Sequence, residues 1–207
     1  MCSHDGRLYV TATKLNQIWI FDRDLQARKI HRVTPPDPAR KVKYKKNYNR
    51  LNRIVRHGER FYIDLNWLTT TQFAESGVLV TDGDLNEIER FEFGWETHDF
   101  QFIDGRMVAA CATSSKGKRV KHAYRSGLMV DGELAFEHDA DEAFCKALCY
   151  DEQFVYLCGG RKMERKQRKN SNAVIYVLDR RDYSLVRKFE STRMKAIKGA
   201  ILRPPAE

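Results

Sequence analysis

Four polar side chains, Asn52, His98, Lys146 and Lys195, recur at intervals of about one repeat length along this 207-residue chain. Two ammonium groups, an imidazole and an amide brought into one small volume could hold a phosphate, sulfate or carboxylate, because every one of them donates hydrogen bonds. The plainer alternative is a structural channel in which the same groups bind water and backbone carbonyls. His98 precedes Asp99, but neighbours on a strand point to opposite faces, which argues against a His–Asp dyad.

A second chemistry lies in three basic runs. Residues 38–50 carry Arg40, Lys41, Lys43, Lys45, Lys46 and Arg50, for a net charge of +6. Residues 114–125 carry Lys116, Lys118, Arg119, Lys121 and Arg125, for +5. Residues 158–173, CGGRKMERKQRKNSNA, carry Arg161, Lys162, Arg165, Lys166, Arg168 and Lys169 against Glu164, again +5. The whole chain is only +9, so the remainder is acidic, and the positive charge is concentrated. Such concentration favours anionic partners, although solvated loops and a localisation signal are competing readings. Tyr44, Tyr48, Tyr124, Trp67 and Phe73 interleave with the cations, a combination that suits single-stranded nucleic acid or a nucleotide sugar.

Motifs for other chemistry are absent. There is no G-x-S-x-G, Walker A loop, H-E-x-x-H or dinucleotide fingerprint. Residues 137–142, EHDADE, lack calcium-loop spacing and read as a solvated acidic link. Cys2, Cys111, Cys145, Cys149 and Cys158 are odd in number and lack metal spacing, so no metal or cofactor is expected. Reduced thiols fit a reducing, cytoplasmic setting. No signal peptide and no membrane-length apolar run is present.

The elements that must position these groups come from a repeat of about 48 residues. GRLYVTAT (6–13), ERFYIDLNW (59–67), GRMVAACAT (105–113) and QFVYLCGG (153–160) are versions of one strand, each after a turn. A second strand with an Asp turn follows each, at 17–25, 77–85, 127–134 and 174–185, and then a third, short one. An apolar strand precedes the last three copies. Alternation and β-branched or aromatic content support strands throughout. Four strands per repeat is a β-propeller blade, here labelled a to d from the axis outward.

The blade pattern resembles YncE-like and quinoprotein-like propellers, and residues 144–189 resemble the last blade of uncharacterised bacterial propellers. The resemblance implies an all-β fold and no chemistry. The expectation is a single domain, 1–207, of four blades, or a truncated larger propeller. Blade one reads as starting at strand b, so KAIKGAILRP (195–204) is expected to complete it by pairing with residues 7–12.

Antiparallel connectivity sends the b–c and d–a connections to one end of the blades and the other turns to the opposite end. All three basic runs are b–c or d–a connections. The expected function is a non-catalytic module binding nucleic acid or a phosphorylated or anionic glycan. The alternatives are an enzyme acting on an anionic or nucleotide-linked sugar at the axis and a protein-interaction scaffold.

Overall fold

The computed structural model describes residues 1–33, 49–68, 75–112, 125–164, 166–167 and 170–200. It is all-β, with sixteen strands among those residues forming four antiparallel four-stranded sheets, each a β-propeller blade. Blade 1 holds β1 (Cys2–His4), β2 (Arg7–Ala12), β3 (Gln17–Phe21) and β4 (Ala27–Arg32). Blade 2 holds β5 (Leu51–His57), β6 (Arg60–Leu65), β7 (Gly77–Thr81) and β8 (Glu87–Glu92). Blade 3 holds β9 (Thr97–Ile103), β10 (Arg106–Cys111), β11 (Ser126–Val130) and β12 (Glu133–His138). Blade 4 holds β13 (Ala143–Tyr150), β14 (Phe154–Arg161), β15 (Asn172–Asp179) and β16 (Leu185–Lys195). Within each sheet the strands pair in chain order.

The chain divides into two compact units, 1–100 and 101–207, with the boundary inside β9. In the first, alternate residues of blades 1 and 2 interleave: Tyr9, Ile18, Ile54, Phe61 and Ile63 are buried together. The Tyr9 and Phe61 rings lie 4.6 Å apart. In the second, Val108, Leu128, Leu148, Leu157, Val174 and Tyr176 fill the space between blades 3 and 4. A fully buried aliphatic or aromatic side chain contributes about 1.5–3 kcal/mol.

Turn chemistry sets the register. Asp5-Gly6, Asp104-Gly105 and Asp131-Gly132 all have positive φ at both residues, the backbone of a two-residue hairpin turn. Three c–d turns use an Asp side chain instead. Asp22 accepts from the Asp24 and Gln26 amides, Asp82 from those of Asp84 and Asn86, and Asp179 from that of Arg181. These bonds favour the ionised carboxylates and, with the side chains of Arg28, Asn86 and Arg181, hold all three below the usual range, Asp179 at about 2.

The first of these hairpins corrects the expected closure. Blade 1 has its own inner strand, with Cys2 opposite Tyr9, Ser3 opposite Leu8 and His4 opposite Arg7. The Asp5-Gly6 turn needs only three residues ahead of it to make a ladder, so the place expected for the C-terminal strand is taken. Residues up to Lys195 instead extend the outer strand of blade 4, where Lys195 pairs with Asn172. The Ala196 and Ile197 amides donate to the carbonyls of Ser171 and Gly159 in that same blade, at 2.9 and 3.0 Å. Residues 201–204 lie outside the described residues.

At the turn end of the second unit, Arg180 ties blade 4 to blade 3. Its guanidinium donates to both carboxylate oxygens of Asp104, at 2.9 and 2.5 Å, and to the Asp151 carbonyl at 2.7 Å. It also lies 5.2 Å from the Tyr150 ring. Lysine cannot reproduce the planar fork, so Arg180→Lys should lower the melting temperature by about 2–4 °C despite keeping the charge. An unchanged melting curve would show that the latch carries no stability.

Candidate functional site

Two polar regions stand out, one in each unit. In the first unit the inner strand β5 carries a bulge. Leu51 faces Leu65 and Ile54 faces Ile63, so Asn52 and Arg53 together oppose the single residue Asp64. Bulges re-aim side chains, and here the Asn52 amide donates to the Thr97 carbonyl at 2.6 Å. Asn66 donates to the same carbonyl at 2.8 Å. The Thr97 hydroxyl donates to Asp64 Oδ1 at 2.5 Å.

Asp64 is 1% exposed, and its second oxygen has no hydrogen-bond partner among the described residues. Burial pushes its carboxyl up to about 7. The Thr97 bond opposes the rise, nearby Asp99 adds to it, and the Asn52 amide opposes it slightly. Asp99 is itself buried and has the Arg53 guanidinium 3.5 Å away. The result is a buried carboxyl poised to be neutral just below pH 7.

In the second unit the b–c ends of blades 3 and 4 are joined by a short link. Ser126, the first residue of β11, pairs with His138, the last of β12. Ala143, the first of β13, pairs with Arg161, the last of β14. Residues 139–142 connect the two, so the segments between Cys111 and Ser126 and between Arg161 and Asn172 start and finish at one end of this unit.

The acidic link is tied down rather than free. Arg125 pairs with Glu137, and Lys188 with Glu142. His138 stacks on Tyr176 with ring centres 5.0 Å apart, and burial pushes its imidazole below its ordinary value. Its Nδ1 lies 3.1 Å from the Asp139 carbonyl, while Nε2 has no hydrogen-bond partner among the described residues. No group of three or more potential metal ligands occurs among the described residues.

Lys146 occupies the bulge position of β13, since Cys145 faces Gly159 and Ala147 faces Cys158. Counting from Ile54 and Leu148, it is the counterpart of Asn52. Its ammonium lies 4.3 Å from the centre of the Phe144 ring, and that of Lys162 lies 5.7 Å from the same ring. Arg161 is exposed and 3.4 Å from Glu190, and Lys166 is exposed in a turn.

The residues predicted from sequence are distributed as follows. Asn52 and His98 belong to the first unit and Lys146 to the second, all on inner strands. Lys195 does not belong with them: it ends the outer strand β16, exposed, with its ammonium 3.4 Å from the Asn170 carbonyl. The assumed register failed because β1 fills the inner place of blade 1 assigned to the C-terminal strand. Arg40, Lys41, Lys43, Lys45, Lys46, Lys116, Lys118, Arg119, Lys121, Arg165, Arg168 and Lys169 lie outside the described residues, as do Tyr44, Tyr48, Phe73 and Tyr124. Trp67 is 6% exposed beneath the Arg50 guanidinium, 5.5 Å from its ring centre, so it is no stacking platform.

Sequence reasoning passed over Asp64 and Thr97. The available signal was Asp64 itself, the one acid within the four b strands.

No protein-family model matches the chain, and no curated protein matches it. Among solved structures it is similar to a protein of unknown function from Bacteroides caccae, at 11% identity and a TM-score of 0.47, over 93% of this chain and 81% of that one. It is also similar to KlHsv2 with loop 6CD replaced by a Gly-Ser linker, at 11% identity and a TM-score of 0.37, over 91% of this chain and 64% of that one. Neither likeness bears on activity.

Proposed function

We propose that the chain is a non-catalytic binding module that takes an anionic partner, nucleic acid or a phosphorylated or anionic glycan, at the b–c end of its blades. The observation that carries this reading is the link 139–142. It joins the strand ends that flank two basic stretches of the sequence, 114–125 and 158–173, each with net charge +5. On this reading their like charges would repel one another unless a counter-charge is supplied. The reading takes the chain to be cytoplasmic. Cys111, Cys145, Cys149 and Cys158 are buried and unbridged, and burial pushes the Cys145 thiol up to about 12, which leaves it inert. Affiliation with YncE-like or quinoprotein-like propellers belongs to the same proposal and rests on the repeated blade pattern alone.

The test is replacement of Arg165, Lys166, Arg168 and Lys169 together by Ala. Retention on heparin and affinity for a single-stranded oligonucleotide should both fall. The slope of log affinity against log salt should shrink by about 0.7 for each phosphate that the variant no longer neutralises. A variant that binds as tightly as the parent, with the parent's slope, removes the polyanion reading.

A protein-interaction scaffold is the second reading. Its support is β16, the outer strand of blade 4, which exposes Leu185, Val186, Phe189 and Met194. Exposed apolar side chains along an outer strand suit a protein partner.

A further inference from the structure

We propose that the free edge of β16 pairs antiparallel with β16 of a second copy of this chain, joining two fourth blades into one continuous sheet. The proposal goes beyond the anion-binding reading and shares with the scaffold reading only the exposed strand.

β16 ends its sheet and bonds to β15 alone. An outer strand turns every second N–H and C=O away from its neighbour, and among the described residues no strand pairs with that edge of β16. An unpaired edge is a template for another strand. β16 has 11 residues, whereas β4, β8 and β12 have 6 each. Leu185, Val186, Phe189 and Met194 are exposed along it. Its regular part is 187–191, where five consecutive residues face Val177 to Ala173 and the register shifts on either side.

Geometry and charge select one register. Residues opposite each other in an antiparallel ladder share a face, and a two-fold axis normal to the sheet keeps every residue on its own face. Partners must therefore be an even number of positions apart. If all five regular residues take part, Phe189 lies on the axis against its copy. Lys188 then meets Glu190 twice, and Arg187 meets Ser191 twice. No like charges face each other. Phe189 is 43% exposed with the Arg187 guanidinium 4.4 Å from its ring centre, so pairing would bury two rings, each capped by an arginine. Glu190 has only long contacts in its own chain, 3.4 Å to Arg161 and to Asn172. Lys188 bonds Glu142, and an ammonium with three donors can serve a second carboxylate.

The other outer edges are protected against the same pairing. A five-residue register on β4 sets Lys29 on Lys29 or Arg28 on Arg32. On β8 it sets Glu89 on Glu89 or Arg90 on Arg90. On β12 it sets Glu133 on Glu137 or brings no opposite charges together. Like charges directly opposite destabilise a ladder, and charged edges are a common guard against association.

Sedimentation velocity of the full chain tests the pairing. The contact is small, so a dissociation constant on the order of 10–100 μM is expected, and loading should run from about 5 to about 500 μM. Phe189→Lys and Glu190→Lys should each weaken the dimer roughly tenfold or more, since each sets like charges opposite one another. Both positions are exposed, so urea midpoints should stay close to the parent's. Lys188→Glu should weaken its own dimer too. Mixed with Glu190→Lys it should restore the dimer, because each chain then offers the charge the other needs.

A parent that stays monomeric throughout refutes the pairing and leaves the edge to a different protein. A dimer unmoved by Phe189→Lys and Glu190→Lys also refutes it, since another surface would then be in use. So does a mixture of folded variants that stays monomeric. If Lys188→Glu does not fold, the two single variants decide. Heparin retention should be the same in Phe189→Lys as in the parent, so the outcome is read separately from anion binding.

Discussion

Replacing Asp64 by Asn should make the chain more stable relative to its parent as pH rises from about 4 to about 7.5, and the gain should then level off. Below the unfolded value near 3.8 the carboxyl is protonated in both states and contributes nothing. Between there and about 7 the unfolded chain has released the proton while the folded chain still holds it, so parent stability falls with rising pH. Asparagine does not titrate. Its Oδ1 can still accept from the Thr97 hydroxyl, and the buried NH2 adds a cost independent of pH. The change across the window is therefore the measure, and it should be about 2–4 kcal/mol. Urea midpoints of both proteins at pH 4.5, 6, 7 and 8 would show it. Parallel curves would mean that Asp64 is hydrated or paired and titrates normally.

The second large effect is steric. Gly127 is the second residue of β11, and a Cβ on it would lie 1.8 Å from the Phe136 carbonyl oxygen in the neighbouring strand. A backbone oxygen cannot rotate away, so Gly127→Ala must part β11 from β12. We expect a loss of about 3 kcal/mol or more, or failure to fold. Gly132 is the control. Its φ is +90°, but nothing lies within 4 Å of the added carbon. Gly132→Ala should therefore cost only the strain of the left-handed backbone, about 1 kcal/mol. If the two variants unfold at the same urea concentration, close packing at Gly127 is not what the chain depends on.

The blades were legible because turn and strand signals recur in the same order. Fifteen of the sixteen strands, β2 to β16, follow the alternation of b, c and d segments and the apolar a segments, with shifts at their ends that are largest at the end of β16. What escaped were features without periodicity. The three-residue β1 is too short to show alternation, although Asp5-Gly6 behind it is a strong hairpin signal. Bulges at Asn52–Arg53 and Lys146 add residues without changing the pattern, so the side chains they re-aim could be named but not aimed. Asp64 interrupts an apolar strand by one residue, and only its burial gives it chemical weight. Lys195 was misplaced because blade 1 was read as lacking an inner strand; β1 fills that place, and Lys195 ends the 11-residue outer strand β16 instead.

Every sheet is a meander in which each strand pairs with the next one along the chain. Several of the turns between them are two residues long. Those hairpins close short loops, so little chain entropy is spent before their ladders begin to form. Strand partners are always neighbours in the chain, an unusual condition for an all-β protein, whose folding is commonly slowed by distant pairings. A blade can thus zip up on its own, and the slow step is left to the burial of one zipped blade against the next.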